Sequence, residues 1–364
     1  MSITMRWRFV LVTSLLVCAL TLSIPSVVST LDLPDTSDVK VLILITDGFG
    51  WNYFDVVEHF EAWGVNVSTV AYALDYNVSS CIHRPENFTI ADYLHSEMTP
   101  EMISEYDCLF ITSGGHWATM VGSQTVLAFI SDAFELGLTI ASICTGTVVV
   151  AESNGIVNGS KVISFWLSSP QMVLAGATPV WGVDSVADGV IITGGSGGGT
   201  GGEGWLEAPT SEVCAEVVRE ALGLSRVTGA SLVPARGPIG TNFSITAMVS
   251  NLNTSLGDIL STDIHEVTAQ IYGYGNRTLI DTIELTNNNH VGNYTGHFIA
   301  LEEGEYVVDI EVEDTNSTLE VVKEIEIFEV GVEPTRPIDI VLVSTVLTGG
   351  VIIILLVVAL KRKR

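Results

Sequence analysis

The sequence contains few basic residues. Lys and Arg together number 15 against 42 Asp and Glu, which gives a formal net charge of −27 over 364 residues. A surface with this charge repels phosphate backbones and anionic lipids, so no nucleic acid is expected as a partner. The acidic excess is typical of a solvated surface that keeps a domain soluble.

Cysteines are also few, at five in the whole chain. Cys108 lies in an apolar run and Cys214 in a helical pattern. This placement excludes the dense disulfide framework of a small secreted domain. One disulfide is allowed, and the sequence leaves its pairing open.

Motifs for phosphate and metal binding are missing as well. The run 194–204 contains eight glycines but no Gly-Lys-Ser/Thr end, which favours a flexible lid or linker over a nucleotide site. His265, His290 and His297 are scattered singly, which is typical of surface or strand-packing residues rather than of metal ligands. The sequence therefore predicts no cofactor and no metal.

Each end of the chain contains an apolar segment that does not read as part of a globular domain. Residues 1–29 have two arginines, then an apolar run, then small residues, which is the layout of a secretory signal peptide. Residues 340–360 carry no charge and, as a helix, would span about 30 Å, enough to cross a bilayer. The basic tail 361–364 is expected to stay cytoplasmic. We therefore expect one membrane helix, with the bulk of the chain extracellular or lumenal.

Glycosylation sequons support this expectation independently. The pattern Asn-x-Ser/Thr occurs nine times, where chance would give roughly three. A glycosylated outer surface is the simplest cause. The nine asparagines are Asn66, Asn77, Asn87, Asn158, Asn242, Asn253, Asn276, Asn293 and Asn316.

Residues 38–224 alternate short apolar runs with amphipathic helices, which predicts an α/β domain with a parallel sheet covered on both faces. In such sheets the site lies outside the carboxyl ends of the strands. The turns after four predicted strands contain Asp47, the segment 113–116, Cys144 and the glycines that begin the run 194–204. These turns are expected to meet at one edge.

Cys144 lies where the apolar run 138–143 turns into a helix. A thiol at a helix N-terminus is exposed to the positive end of the peptide dipoles, which favours the thiolate and presents a nucleophile. The alternative is a small buried cysteine at a crowded turn. The convergence of polar turns favours the nucleophile.

Residues 228–330 have a different hydrophobic periodicity. From residue 306 to residue 313 apolar side chains alternate with mostly acidic ones, which is the period of half-exposed strands. This pattern predicts an all-β, immunoglobulin-like sandwich, without a catalytic constellation of its own. Residues 331–339 are interpreted as a stalk.

The first domain resembles the DJ-1/PfpI family, a branch of the class I glutamine amidotransferase-like fold with a flavodoxin-like sheet. The resemblance rests on segments 41–45, 106–115, 141–146 and 151–161. It implies that Cys144 is the elbow nucleophile and that the backbone N–H groups of Gly115 and Thr145 form an oxyanion hole. Substrates of the family are small carbonyl compounds or peptides, and its members often form homodimers.

Two positions depart from the family pattern. Asn52 aligns with the family's acidic partner of the cysteine, and Thr145 stands where many members have histidine. Asp47 could supply a carboxylate, or it could cap a turn. His116 could serve as a base or contact the substrate, or it could be a surface residue.

Two functions from different classes follow. The first is a membrane-anchored, extracytoplasmic cysteine-dependent hydrolase or lyase acting on a carbonyl or amide substrate. The alternative is a catalytically inactive binding or redox-sensing module displayed on the cell surface.

Overall fold

A computed structural model of the protein describes residues 35–81, 88–164, 169–196, 208–249, 264–287 and 292–331. The predicted signal peptide 1–29, membrane helix 340–360 and tail 361–364 lie outside these residues, as do most of the stalk and most of the glycine-rich run. Within the described ranges, no helix is long and apolar enough to cross a membrane.

The first part of the chain alternates strands and helices. Its helices are α1 (Asn52–Ala62), α2 (Pro100–Ile103), α3 (Trp117–Val121), α4 (Gln124–Glu135), α5 (Thr145–Glu152), α6 (Ser169–Leu174) and α7 (Thr210–Ala221). Its strands are β1 (Lys40–Ile45), β2 (Asn66–Ala71), β3 (Asn77–Ser79), β4 (Phe88–Ile90), β5 (Tyr93–Leu94), β6 (Cys108–Ile111), β7 (Thr139–Ile143), β8 (Lys161–Ile163), β9 (Thr178–Val180), β10 (Ser185–Asp188) and β11 (Ile191–Gly194).

The parallel sheet is buried on both faces. Strand β1 pairs in parallel with β2 and β6, and β7 pairs in parallel with β6 and β11. Along β1, Ile43 packs in one core cluster, with α1 and α7, and the neighbouring Leu44 packs in the other, with α4 and α5. Side chains of a strand alternate between faces, so an uninterrupted apolar run covers both sides. The predicted α/β domain with a parallel sheet is confirmed.

The second part of the described chain is β-rich. Its strands are β12 (Val227–Val233), β13 (Arg236–Gly237), β14 (Asn242–Val249), β15 (Ile264–Gly273), β16 (Leu279–Glu284), β17 (Thr286–Asn287), β18 (Asn293–Ile299), β19 (Gly304–Asp314) and β20 (Thr318–Val330). The sheet β12-β14-β18-β17 shares a core with β15, β19 and β20, in which the rings of Phe243 and Phe328 lie 4.6 Å apart. The immunoglobulin-like assignment stays a prediction.

One sheet runs through both parts. Strand β20 pairs in parallel with β10, which places Ser185 opposite Thr318 and joins the strands into a sheet of 12 described strands. Buried ion pairs add to this contact, because Arg219 of α7 lies 2.6 Å from Glu320 of β20. The α/β part and the β-rich part are therefore hydrogen-bonded to each other. The predicted domain limits, 38–224 and 228–330, stay predictions.

Candidate functional site

The turns after β1 and β6 are joined to each other at the carboxyl edge of the sheet. A β-bridge links Phe49 to Gly114, and the Gly50 N–H donates to the Ser113 carbonyl at 2.6 Å. The His116 N–H donates to the carbonyl of Gly48 at 3.1 Å. The predicted convergence of these two turns is therefore present in the structure.

Cys144 forms a strained elbow between β7 and α5. Its backbone has φ 53° and ψ −120°, a conformation that costs an ordinary L-residue about 1–3 kcal/mol. The Cys144 N–H donates to the Gly194 carbonyl at 2.9 Å, which fixes the turn from one side. On the other side, a Cβ at Gly146 would clash with the carbonyl oxygen of Ile111, so the helix can start this close to the sheet only with glycine there.

Thr145 ties the elbow to the turn after β6. The Gly114 N–H donates to the Thr145 hydroxyl at 3.0 Å, and the hydroxyl lies 3.2 Å from the Gly114 carbonyl, to which it donates. The next amide, the Gly115 N–H, has no acceptor among the described residues. The Thr145 N–H lies close enough to the Cys144 thiol to lower its pKa slightly. The two N–H groups predicted for an oxyanion hole are thus on adjoining turns.

Desolvation governs the protonation of Cys144, although the residue is only half-buried. It raises the pKa of the thiol to about 11, while the hydrogen bond from the Thr145 N–H opposes this with a smaller lowering. We expected the helix dipole to favour the thiolate; the upward shift of the pKa runs against this expectation, which stays a prediction. The dipole effect falls off within the first turn and is worth less than the desolvation of a buried charge.

His116 is a buried structural residue, with 1% of its surface exposed. Its Nδ1 accepts from the Thr46 N–H at 3.4 Å, so the proton is on Nε2, which donates to the Thr112 carbonyl at 2.9 Å. Burial lowers the pKa of His116 to about 4. Because both ring nitrogens are occupied, His116 is neither the free base nor the surface residue that the sequence left open.

Asp47 is an exposed turn residue. Its carboxylate accepts from the backbone N–H of Ser79 at 2.9 Å and from the Ser79 hydroxyl at 2.7 Å. These two hydrogen bonds lower the pKa of Asp47, the backbone one most. The contacts favour the turn-capping alternative. Sequence reasoning missed Ser79, since a serine at the end of a three-residue strand carries no signal of such a contact.

Asn52 is fully buried. Its Oδ1 accepts from the Ser113 N–H at 3.2 Å, and its Nδ2 has no hydrogen-bond partner in the described structure. An amide therefore holds the turn after β6, at the position where a carboxylate was expected from the resemblance. Among the described residues, no group of three or more His, Cys, Asp or Glu side chains could hold a metal ion.

Several solved structures are similar to this chain. A ThiJ/PfpI domain protein from Brachyspira murdochii has 17% identity over 52% of this chain and 98% of its own, with a TM-score of 0.43. DJ-1 from Schizosaccharomyces pombe has 20% identity over 47% of this chain and 88% of its own, with a TM-score of 0.38. A two-domain protein from Anabaena variabilis, with DJ-1/ThiJ/PfpI-like and ferritin-like domains, has 22% identity over 51% of this chain and 47% of its own. Its TM-score is 0.41.

Family assignment rests on a different comparison, because TM-scores under 0.5 support no conclusion about function. A search of curated proteins found no match. Residues 39–203 match the profile of the DJ-1/PfpI family, over a range that includes β1, the Gly114 turn and the Cys144 elbow. Residues 39–203 are therefore a DJ-1/PfpI family domain.

Proposed function

We propose that this chain is a membrane-anchored, extracytoplasmic protein whose DJ-1/PfpI domain binds a small carbonyl compound or peptide beside Cys144. The observation that carries this proposal concerns the expected acid and base: Asn52 stands where a carboxylate was expected, and both ring nitrogens of His116 are occupied. Burial also raises the pKa of the Cys144 thiol, to about 11, which favours the protonated form at pH 7. No charged side chain among the described residues lowers that pKa. A site of this kind suits binding better than turnover.

The backbone supplies the recognition. The Gly115 N–H has no acceptor among the described residues, so a carbonyl oxygen placed beside it can accept a hydrogen bond; the Thr145 N–H lies beside the thiol on the adjoining turn. Donors held by rigid turns orient a ligand at little cost in entropy. This supports a carbonyl-bearing ligand and leaves its identity open.

A second candidate is the cysteine-dependent hydrolase or lyase. The observation that favours it is the strained backbone at Cys144, with φ 53°. Strain of this kind persists only where the surroundings enforce it, and it presents nucleophiles in other elbow enzymes. The redox-sensing alternative is less supported, because reactivity towards oxidants follows thiolate character.

The pH dependence of Cys144 alkylation separates these candidates. Iodoacetamide labelling, followed by peptide mass spectrometry, should give an apparent pKa near 11 if the domain is a binding module. An apparent pKa below the ordinary value of about 8.5 would instead support the enzyme. Cys144→Ser identifies the labelled peptide, and Cys81, which is half-buried, serves as an internal reference.

Membrane anchoring is supported by the uncharged segment 340–360, the basic tail 361–364 and the nine sequons. In the arrangement we propose, the β-rich part holds the DJ-1/PfpI domain away from the bilayer. The full chain should sediment with membranes and resist alkaline carbonate, and a variant ending at residue 331 should be soluble. Recovery of the full chain in the soluble fraction would contradict the anchor.

A further inference from the structure

Strands β14 and β18 bring two sequon asparagines opposite two exposed apolar side chains. In this antiparallel ladder Asn242 pairs with Ile299, and Asn293 pairs with Met248. Ile299 is 53% exposed and Met248 is 57% exposed. Side chains of directly opposed residues lie on the same face, with Cβ atoms about 4.5–5.5 Å apart. Each asparagine therefore lies next to an apolar side chain that faces solvent.

Ile299 and Met248 are the two apolar residues on the outer face of the β14–β18 ladder. Its other members are polar, namely Ser244, Thr246, Thr295 and His297. Within the β14–β18 ladder, both apolar residues of this face are opposite a sequon, and both sequons are opposite an apolar residue. On the neighbouring strand β12, the 64% exposed Val233 lies on the same face and pairs with Ser244 instead. Single exposed apolar residues are common and need no explanation, but this register is a specific arrangement.

The antiparallel pair β3–β4 repeats the arrangement. Asn77 pairs with Ile90, which is 70% exposed, and Phe88, on the same face two residues away, is 56% exposed. Asn77 itself is exposed, as is Asn242, whereas Asn293 is half-buried. Not every sequon is placed in this way, because Asn66 pairs with Lys40 in the β1–β2 ladder.

We propose that N-linked glycans on Asn77, Asn242 and Asn293 lie over the apolar side chains across the strand and cover them. A sugar ring has a face of C–H groups, which can pack on an isoleucine or methionine while its hydroxyls stay in water. The inference rests on the proposed extracytoplasmic location, since attachment of these glycans requires it. The glycans then act as part of the fold's outer surface, covering apolar side chains that the strands leave in solvent.

The rate at which hydrogen peroxide oxidises Met248 measures directly how far the glycan on Asn293 shields this side chain. The full chain is expressed through a secretory route that attaches N-glycans, and site occupancy and sulfoxide formation are read by mass spectrometry. Thr295→Ala removes the sequon at Asn293 and should speed Met248 oxidation at least about threefold, because an exposed thioether is the one that oxidises. Asn66→Gln, which removes a glycan opposite a lysine, should leave the rate unchanged.

Two further measurements test whether glycans shield Met248. Enzymatic removal of glycans from the wild-type chain should give the same acceleration, which covers the case in which Thr295→Ala fails to fold. Oxidation of the half-buried Met102, on α2, should not change in either experiment.

The outcomes separate this inference from the proposed location. Occupied sites with an unchanged Met248 rate would overturn the inference alone. Glycans at Asn66 but none at Asn77, Asn242 or Asn293 would also overturn it and would leave the location intact. A chain without any glycan that does not reach a membrane would overturn both.

Discussion

The hydroxyl oxygen of Thr145 lies 3.0 Å from the amide nitrogen of Gly114, so the residue after the elbow cysteine holds the turn after β6. Where many DJ-1/PfpI members have a histidine, this chain therefore has a positioning residue. The contact sets where the Gly115 N–H lies relative to Cys144. It explains how the two turns remain aligned without a charged group between them.

We expect Thr145→Val to destabilise the protein by about 1–3 kcal/mol. Valine keeps the shape of threonine but leaves the Gly114 N–H without its acceptor, and an unsatisfied polar group in a part-buried site costs this much. Thr145→Ser retains the hydroxyl and is the matched control, with an expected loss well under half of that. Urea unfolding of both variants measures the difference, and equal midpoints would show that the contact contributes nothing.

Stability should fall in alkali because of Cys144. Burial raises the pKa of this thiol to about 11, so the folded state keeps its proton where the unfolded state, near pH 9, has lost it. The contribution is complete below the unfolded pKa and is lost as the pH rises from about 9 to about 11, at roughly 1.4 kcal/mol per pH unit. The pKa values of Cys108 and Cys214 are also raised by burial, so the wild-type slope is steeper still.

Cys144→Ala isolates this contribution. Its unfolding free energy, measured between pH 8 and pH 10.5, should fall less steeply with pH than that of the wild type, by up to about 1.4 kcal/mol per pH unit. Parallel curves for the two proteins would mean that the thiol ionises equally in the folded and unfolded states, which contradicts the burial argument.

Much of the first domain was predictable because its signals are local. The run that forms most of β1 is uninterrupted and apolar, and α4, Gln124–Glu135, is one of the amphipathic helices predicted within residues 38–224. The Cys144 turn was predictable too, since an abrupt end of an apolar run, followed by small residues, indicates a strand-turn-helix unit. Pattern and packing agree at these positions.

The rest depends on contacts distant in sequence. Nothing near Ser185 indicates that β10 pairs with β20, since residue 318 follows 133 positions later. His116 follows a glycine pair, a position where a polar residue is expected at the surface. Its ring is buried instead, because the Thr46 N–H and the Thr112 carbonyl supply its hydrogen-bond partners. The protonation of Cys144 could not be predicted either, because desolvation depends on residues packed around the thiol after folding.

His116 should make the protein sensitive to acid. Burial lowers its pKa to about 4, whereas an unfolded histidine titrates near 6.5. The stability is fully present above about pH 6.5 and is lost as the pH falls towards 4, by an amount on the order of 3 kcal/mol. His116→Gln should be less stable at pH 7.5 but should lose less between pH 7 and pH 4.5. A loss as large as that of the wild type over this range would contradict the prediction.

Glu320→Gln should weaken the connection between the DJ-1/PfpI domain and the β-rich part. Glu320 accepts from Arg219 at 2.6 Å, from Arg226 at 3.3 Å and from the Ser225 hydroxyl at 2.5 Å. Burial by itself would raise the pKa of Glu320, but Arg219 and these hydrogen bonds hold it below the usual value. Removing one partner of a buried ion pair costs about 3–5 kcal/mol, because the remaining charges lose compensation.

The same substitution on the same strand provides the control for this prediction. Glu324 lies four residues further along β20, has a side chain 60% exposed and is 3.8 Å from Arg277. An exposed pair of this kind contributes about 0–1 kcal/mol, so Glu324→Gln should leave the midpoint of unfolding nearly unchanged. Calorimetry should then show Glu320→Gln unfolding at lower temperature, with the transition broadened or split as the two parts lose their coupling. If both variants unfold as the wild type does, the pairing of β10 with β20 alone holds the parts together, and the buried charges contribute nothing to their connection.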